Sequence, residues 1–260
     1  MIHPGLVSVT FRALSPAQVA SLVRQAGLQG IEWGGDIHVP PGNVARAREV
    51  RELTLEAGLA VAAYGSYYRA GQSEADGLPF AHVLESALEL GAPTVRVWAG
   101  IVGSQTADAA HRERVAADLR RIAALAASVR VTVSLEFHNG TLTDTAPSAR
   151  RLLEEVAHPN LFTYWQPPLE RRTADCMADL KSLLSRVTHV HVFHWRPGST
   201  DRLPLADGAA RWHEFLTLAD TAPALGERYA MLEFVERDAP ECFLRDAATL
   251  KSWLTPSARG

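Results

Sequence analysis

Six ionisable residues stand inside short, otherwise apolar runs. Glu32 lies in Gly30–Trp33, Arg96 in Thr94–Trp98, Glu136 in Val131–Phe137, His189 and His191 in His189–Phe193, and Glu233 in Tyr229–Val235. In an extended strand, successive side chains face opposite sides. Val131, Val133, Leu135 and Phe137 therefore share one side, and Thr132, Ser134 and Glu136 the other. The same alternation sets Val95 and Val97 against Arg96 and Trp98, Val190 and Val192 against His189 and His191, Leu232 and Phe234 against Met231 and Glu233, and Ile31 against Glu32. The ionisable set thus collects on one side. An isolated buried charge is very costly unless it is paired or metal-bound. Two carboxylates and an imidazole from different strands suit one divalent ion. An oxygen-rich set with a single imidazole favours Mg²⁺, Mn²⁺ or Co²⁺, with Zn²⁺ and Ni²⁺ also compatible. A purely structural arrangement stays open at this level, with Glu136 and Glu233 paired to Arg96 and His191 a satisfied core histidine.

Composition closes other routes. Only two of the 26 basic residues are lysines, Lys181 and Lys251, and both fall in segments with helical patterning. Schiff-base chemistry needs an activated lysine at the reacting centre. No Gly-Lys-Ser/Thr occurs, so there is no Walker-type phosphate loop. Cys176 and Cys242 are too few for a disulfide framework or a cysteine metal cluster. The formal net charge is −3, which advertises neither nucleic acid nor an acidic membrane as partner. No apolar run approaches a membrane span, and the N-terminus lacks a signal-peptide pattern. A cytoplasmic enzyme is the expectation.

The elements that must position these residues alternate. The reading places strands at Val7–Phe11, Gly30–Trp33, Ala60–Tyr64, Thr94–Trp98, Val131–Phe137, Leu161–Gln166, His189–Phe193 and Tyr229–Val235, each followed by a helical pattern. The first helix opens on Ser15-Pro16-Ala17-Gln18, a capping box with proline at the first helical position, and stops at Gly27. Eight strands alternating with eight helices in 260 residues predict one (β/α)8 TIM-barrel domain over 1–260, since such a barrel takes about 250 residues. The open doubly wound alternative usually has fewer strands and a Gly-rich first turn, which is absent. Active sites of barrels form at the C-terminal ends of the strands, where most of the ionisable set lies.

In this order, one motif per strand, the chain resembles the xylose isomerase-like TIM barrel superfamily of sugar (phosphate) isomerases and epimerases. The resemblance rests on Gly30-Ile31-Glu32-Trp33, Arg96-Val97-Trp98-Ala99-Gly100, Leu135-Glu136-Phe137-His138, Tyr164-Trp165-Gln166-Pro167, His189-Val190-His191-Val192 and Leu232-Glu233-Phe234. It implies a single divalent metal held by Glu136, Gln166, His191 and Glu233. Gln166 departs from the family pattern, where an aspartate is usual, so the site loses one negative charge. The resemblance further implies that Glu136 and Glu233 move a proton beside a substrate carbonyl through a metal-stabilised enediolate.

Around this centre, His138, Arg196, Trp98, Tyr67 and His38 are candidate substrate contacts, while alternation turns Trp165 outward. The leading expectation is a metal-dependent isomerase or epimerase of a carbohydrate-like small molecule. A dehydratase or other lyase on the same site is the alternative, and a non-catalytic sugar-binding barrel a third reading. The abasic-DNA endonuclease activity of this fold needs extra histidines that strands two and three do not place inside. Assembly into a homo-oligomer is left open by the sequence.

Overall fold

Eight parallel strands close on themselves in sequence order, β1 pairing with both β2 and β8. This is a (β/α)8 barrel, seen in a computed structural model that describes residues 1–169, 171–223 and 225–255. The strands are β1 (Ile2–Val7), β2 (Gly30–Gly34), β3 (Ala60–Arg69), β4 (Thr94–Trp98), β5 (Thr132–Leu135), β6 (Leu161–Trp165), β7 (Val187–Val192) and β8 (Arg228–Leu232). The helices between and after them are α1 (Pro16–Ala26), α2 (Val44–Glu56), α3 (Phe80–Leu90), α4 (Ala109–Ser128), α5 (Ala146–Val156), α6 (Thr173–Leu183), α7 (Ala209–Asp220) and α8 (Pro240–Leu254). No helix among the described residues is long and apolar enough to cross a membrane.

Local sequence explains the helix ends. Ser15 accepts from the Gln18 backbone while the Gln18 side chain returns to Ser15, and Gly27 closes α1 in the left-handed conformation. Lys181 sits in α6 and Lys251 in α8, on the outer ring and away from the barrel interior. The aliphatic parity holds as well. Ile31, Val95, Val97, Val133, Leu135, Val190, Val192 and Leu232 join the helices in one continuous core. Trp165 goes outward with them, stacking edge-on against Phe215 of α7. A second, smaller cluster fills the barrel axis with Val7, Val9, Ala62, Ala63, Tyr164, Tyr229 and Met231.

On the N-terminal side of that plug the interior is polar. Thr94, Ser134 and Thr188 join hydroxyls across three strands at 3.1 and 3.0 Å. His189 lies deep and buried, accepting from the Tyr229 backbone N–H at 3.1 Å. Burial holds its imidazole neutral, with a pKa brought down to about 4.

The first strand corrects the sequence reading. The expected strand Val7–Phe11 is instead a short 3₁₀ turn over Ser8–Phe11, and β1 precedes it at Ile2–Val7. Pro4 and Gly5 hide β1 from a propensity reading. The barrel needs Gly5 there, because a Cβ would meet the Gly30 carbonyl and Met231 at 3.0 Å. In the turn, the Ser8 hydroxyl accepts from the Gly34 N–H at 2.9 Å and ties the end of β2 to β1.

Candidate active site

Glu136, Gln166 and Glu233 each stand one residue beyond the end of their strands β5, β6 and β8, and His191 is the penultimate residue of β7. Backbone bonds from Glu136 to Val97 and from Glu233 to Val192 prolong the ladder and fix the two carboxylates at the mouth. The geometry gathers the other three residues around one imidazole nitrogen of His191. His191 Nδ1 lies 3.2 Å from Gln166 Oε1, 3.3 Å from Glu233 Oε2 and 3.9 Å from Glu136 Oε1. One atom each from Glu136, His191 and Glu233 fall within 4.8 Å of one another, and all three residues are buried. This cluster could hold a metal ion.

Arg96 and Glu32, which the sequence places inside without a part in binding metal or substrate, complete the centre. Arg96 is 1% exposed and bridges two carboxylates, donating from Nε to Glu32 Oε1 at 2.6 Å and from Nη1 to Glu136 Oε2. Gly65 makes this pair fit, since a Cβ there would sit 2.7 Å from both Glu32 Oε1 and Arg96 Nη2. Glu32 Oε2 approaches His191 Nε2 at 3.7 Å from behind. Burial alone would raise the Glu32 carboxyl, but Arg96 and His191 overcome it and hold the pKa at about 2. Burial alone would lower His191, but Glu233 and Glu32 push it up to about 10. Burial likewise acts to raise Glu233, and His191 and Arg96 bring it below the usual carboxylate range.

The donor set fits a dication on charge grounds. Three buried carboxylates face one permanent cation, Arg96. Protonated His191 supplies part of the missing positive charge. A divalent ion with neutral His191 would balance the set completely, which is what buried charge requires. The same contacts realise part of the structural alternative, because Glu136 does pair with Arg96 and His191 does contact Glu233.

The candidate substrate contacts divide. Trp98 donates from Nε1 to Glu136 Oε2 at 2.5 Å, and His138 stacks on its ring at 4.6 Å. Tyr67 lies beneath the Arg96 guanidinium, 5.9 Å from Trp98, in a left-handed backbone conformation (φ 58°). Such a conformation costs about 1–3 kcal/mol for a non-glycine residue and is typical of constrained sites. These three residues stand at the mouth, and His138 lines the cavity that also contains Glu136, Gln166 and Glu233.

His38 is a correction. It is 1% exposed and both ring nitrogens are engaged inside the protein, Nδ1 with Ser8 Oγ at 2.9 Å and Nε2 with the Leu14 carbonyl at 3.1 Å. It braces the β1 and β2 loops and does not reach the mouth. Arg196 is also not brought to the glutamates. Its side chain is 63% exposed, leans on Asp201 at 3.6 Å, and lines an adjoining recess.

The cavity contains residues that the sequence reading passed over: Asn139, Phe193, Trp195 and Phe234. Phe193 was findable, since it shares the inward parity of His191. Phe234 was not, because its left-handed backbone (φ 57°) turns it out of the strand alternation that had assigned it to the helices.

Comparison with known proteins agrees with this architecture. A curated relative, the 3-dehydroshikimate dehydratase of Bacillus anthracis, is 43% identical over 67 residues, which span 26% of this chain and only 24% of that protein. The crystal structure of a probable 3-DHS dehydratase, AsbF, of Bacillus anthracis superposes with a TM-score of 0.79 at 22% identity, covering 96% of this chain and 99% of that one. A 3-keto-D-glucoside 4-epimerase from E. coli superposes with a TM-score of 0.73 at 20% identity, covering 97% and 100%. Identities at this level speak for the fold. The family model described as xylose isomerase-like TIM barrel matches residues 20–250, and the chain belongs to that family.

Proposed function

We propose that this chain is a metal-dependent enzyme that removes the proton beside the carbonyl of a hydroxylated, carbohydrate-like keto compound and then expels water from the adjacent carbon. The carrying observation is the unequal tethering of the two glutamates. Glu136 Oε2 is held by two donors, Arg96 Nη1 and Trp98 Nε1, whereas the Glu233 carboxylate, among the described residues, meets the His191 imidazole alone. A carboxylate fixed by two donors is an anchor. The less tethered Glu233 is the one free to approach the substrate as base.

In this reading the C–H proton passes to a Glu233 carboxylate oxygen and the electron pair moves onto the carbonyl. The electron pair then returns from oxygen to re-form the carbonyl, a carbon–carbon double bond forms as the C–O bond to the neighbouring hydroxyl breaks, and the leaving oxygen takes the Nε2 proton of the His138 imidazolium, so that water departs. The His138 ring is suited to this. Its Nδ1 is engaged with the Asn139 carbonyl at 2.7 Å and its face is stacked on Trp98, which leaves Nε2 for the substrate. A divalent ion held by Glu136, Gln166, His191 and Glu233 would supply Lewis-acid stabilisation of the developing oxyanion. The local identity to a dehydratase supports the elimination outcome.

A second reading, epimerisation or isomerisation, is supported by the nearness of Glu136 to the same point, which offers a second carboxylate for returning the proton. The test is incubation with Mn²⁺ or Mg²⁺ and a panel of hydroxylated keto compounds, 3-dehydroshikimate included, in deuterated water. Loss of water with rising ultraviolet absorbance of a conjugated product is the expected result. Deuterium in recovered epimer or isomer would favour the second reading. Neither exchange nor elimination in a metal-loaded protein would overturn both and leave a sugar-binding barrel.

A further inference from the structure

Beyond Pro167 and Pro168, the cavity of Glu136 and Glu233 continues into a second recess between the loops that follow β6 and β7. Phe193 and Trp195 belong to the walls of both. The outer recess is lined by four arginines and by no described carboxylate. Three of these arginines are answered from outside it: Arg171 by Asp179 at 3.1 Å, Arg172 by Asp175 at 2.9 Å and Arg196 by Asp201 at 3.6 Å.

Arg211 is different. Among the described residues it has no carboxylate partner. Its Nη2 faces only the Cys176 sulfur at 3.8 Å, its guanidinium lies over the Phe215 ring at 5.4 Å, and its Nε is buried without an acceptor. Trp195 Nε1 is a second buried donor with no acceptor. A buried donor left unmade costs about 1–3 kcal/mol, and more when the group is charged. Two such donors in one recess are, among the described residues, a cost without a compensating partner. Guanidinium and indole N–H together form a donor-only surface, and the ligand chemistry that answers it is an oxyanion.

We propose that this recess is an oxyanion subsite, binding the carboxylate or phosphate of a substrate whose carbonyl end reaches Glu233. The anion binding stands on the recess alone, while its assignment to the substrate rests on the reading of the neighbouring cavity as the active site. Arg211 would take the anion in its planar fork and Trp195 would add one N–H at the junction of the two chambers.

The test is titration of the full chain with inorganic phosphate and, separately, with propionate. Chelator is present throughout so that no metal can serve as the anion's partner, and calorimetry and tryptophan fluorescence supply the readout. Saturable binding is expected, weakened about tenfold or more by Arg211→Gln and several-fold by Trp195→Phe, as loss of charge-assisted bonds implies. It should be retained in part by Arg211→Lys and be unchanged in Glu233→Gln. Preference for phosphate would identify a phosphorylated substrate, and preference for propionate a keto acid. Circular dichroism checks the fold of each variant. If Arg211→Gln does not fold, Trp195→Phe and Arg211→Lys carry the same comparison. No saturation by either anion, or equal affinity in wild type and the Arg211 and Trp195 variants, would overturn the subsite. Anion binding with no turnover of any keto compound would instead count against the neighbouring active site.

Discussion

Arg96→Met strands two buried carboxylates, and the structure allows its cost to be worked out in two ways. The guanidinium links Glu32, which is fully buried, and Glu136, which is 3% exposed. Removing one partner of such a buried pair costs about 3–5 kcal/mol, because the remaining charge is left uncompensated. The depression of Glu32 from 4.5 to about 2 gives a second measure. At ~1.4 kcal/mol per pKa unit this net shift is roughly 3.5 kcal/mol, and because burial opposes it, the loss of Arg96 costs at least that much. The two agree, and either is a large share of the ~5–15 kcal/mol by which a domain is stable. Urea unfolding followed by circular dichroism, at neutral pH with chelator present, should show this loss. Adding Glu32→Gln to the variant should return part of it, because the stranded charge is removed with its partner. The pH dependence should also change sign. In the wild type the depressed Glu32 contributes stability that is present above 4.5 and lost as pH falls towards 2. Without Arg96, burial dominates and raises the Glu32 carboxyl, so the folded variant binds the extra proton. It should therefore gain stability, relative to wild type, as pH is lowered from neutrality. A loss below about 1 kcal/mol, or parallel pH profiles for the two proteins, would refute the reasoning.

Other outcomes follow from the same geometry. Gln166→Ala should weaken metal binding, measured by calorimetry, by at least the roughly 10–100-fold that loss of an outer partner costs; unchanged affinity would remove Gln166 from the ligand set. His38→Ala should leave metal affinity and turnover intact and cost about 1–3 kcal/mol of stability, since Ser8 Oγ and the Leu14 carbonyl lose their partner. A fall in turnover with unchanged stability would restore His38 to the active site. Gly65→Ala should cost about 1–3 kcal/mol by crowding Arg96 and Glu32, and a melting temperature equal to wild type would show that this pair has room to move.

The legible parts of the fold are those where one local rule acts alone. The capping box at Ser15 gave the start of α1, and the aliphatic stripe of β4 gave its bounds, because each is written within a few residues. Inward parity gathered Glu136, His191 and Glu233 because strand alternation is strict once the helix-facing side is known. β1 was illegible for the opposite reason. Its Gly5 answers to packing against Gly30 and Met231, residues far away in the chain, and propensity alone reads Pro4 and Gly5 as a break. His38 was misplaced because a histidine in a loop carries no local sign of the Ser8 and Leu14 atoms that claim it. The pairing of Arg96 with Glu32 could not be read either, since parity places both inside without saying which carboxylate the guanidinium reaches.

That pairing bears on why a glutamine can stand where the family usually places an aspartate. A carboxylate at position 166 would give the mouth and its supporting layer four negative charges against Arg96 and a dication, leaving one buried charge in excess. With Gln166 neutral, Glu32, Glu136 and Glu233 are matched by Arg96 and a doubly charged ion. The anion missing in front of His191 Nδ1 is present behind it, where Glu32 Oε2 stands 3.7 Å from Nε2. In that position a carboxylate favours the proton on Nε2 and leaves Nδ1 facing Gln166, Glu233 and Glu136, an orienting role that outer carboxylates commonly serve for metal-binding histidines. Gln166→Asp should therefore improve metal affinity little in the wild type, where the balance is already met. It should improve affinity clearly in Glu32→Gln, where one negative charge is missing. Calorimetric titration of the two single variants and the double variant measures the coupling. Simple additivity, with the aspartate giving the same gain whether or not Glu32 is ionised, would show that the two positions do not share one charge balance.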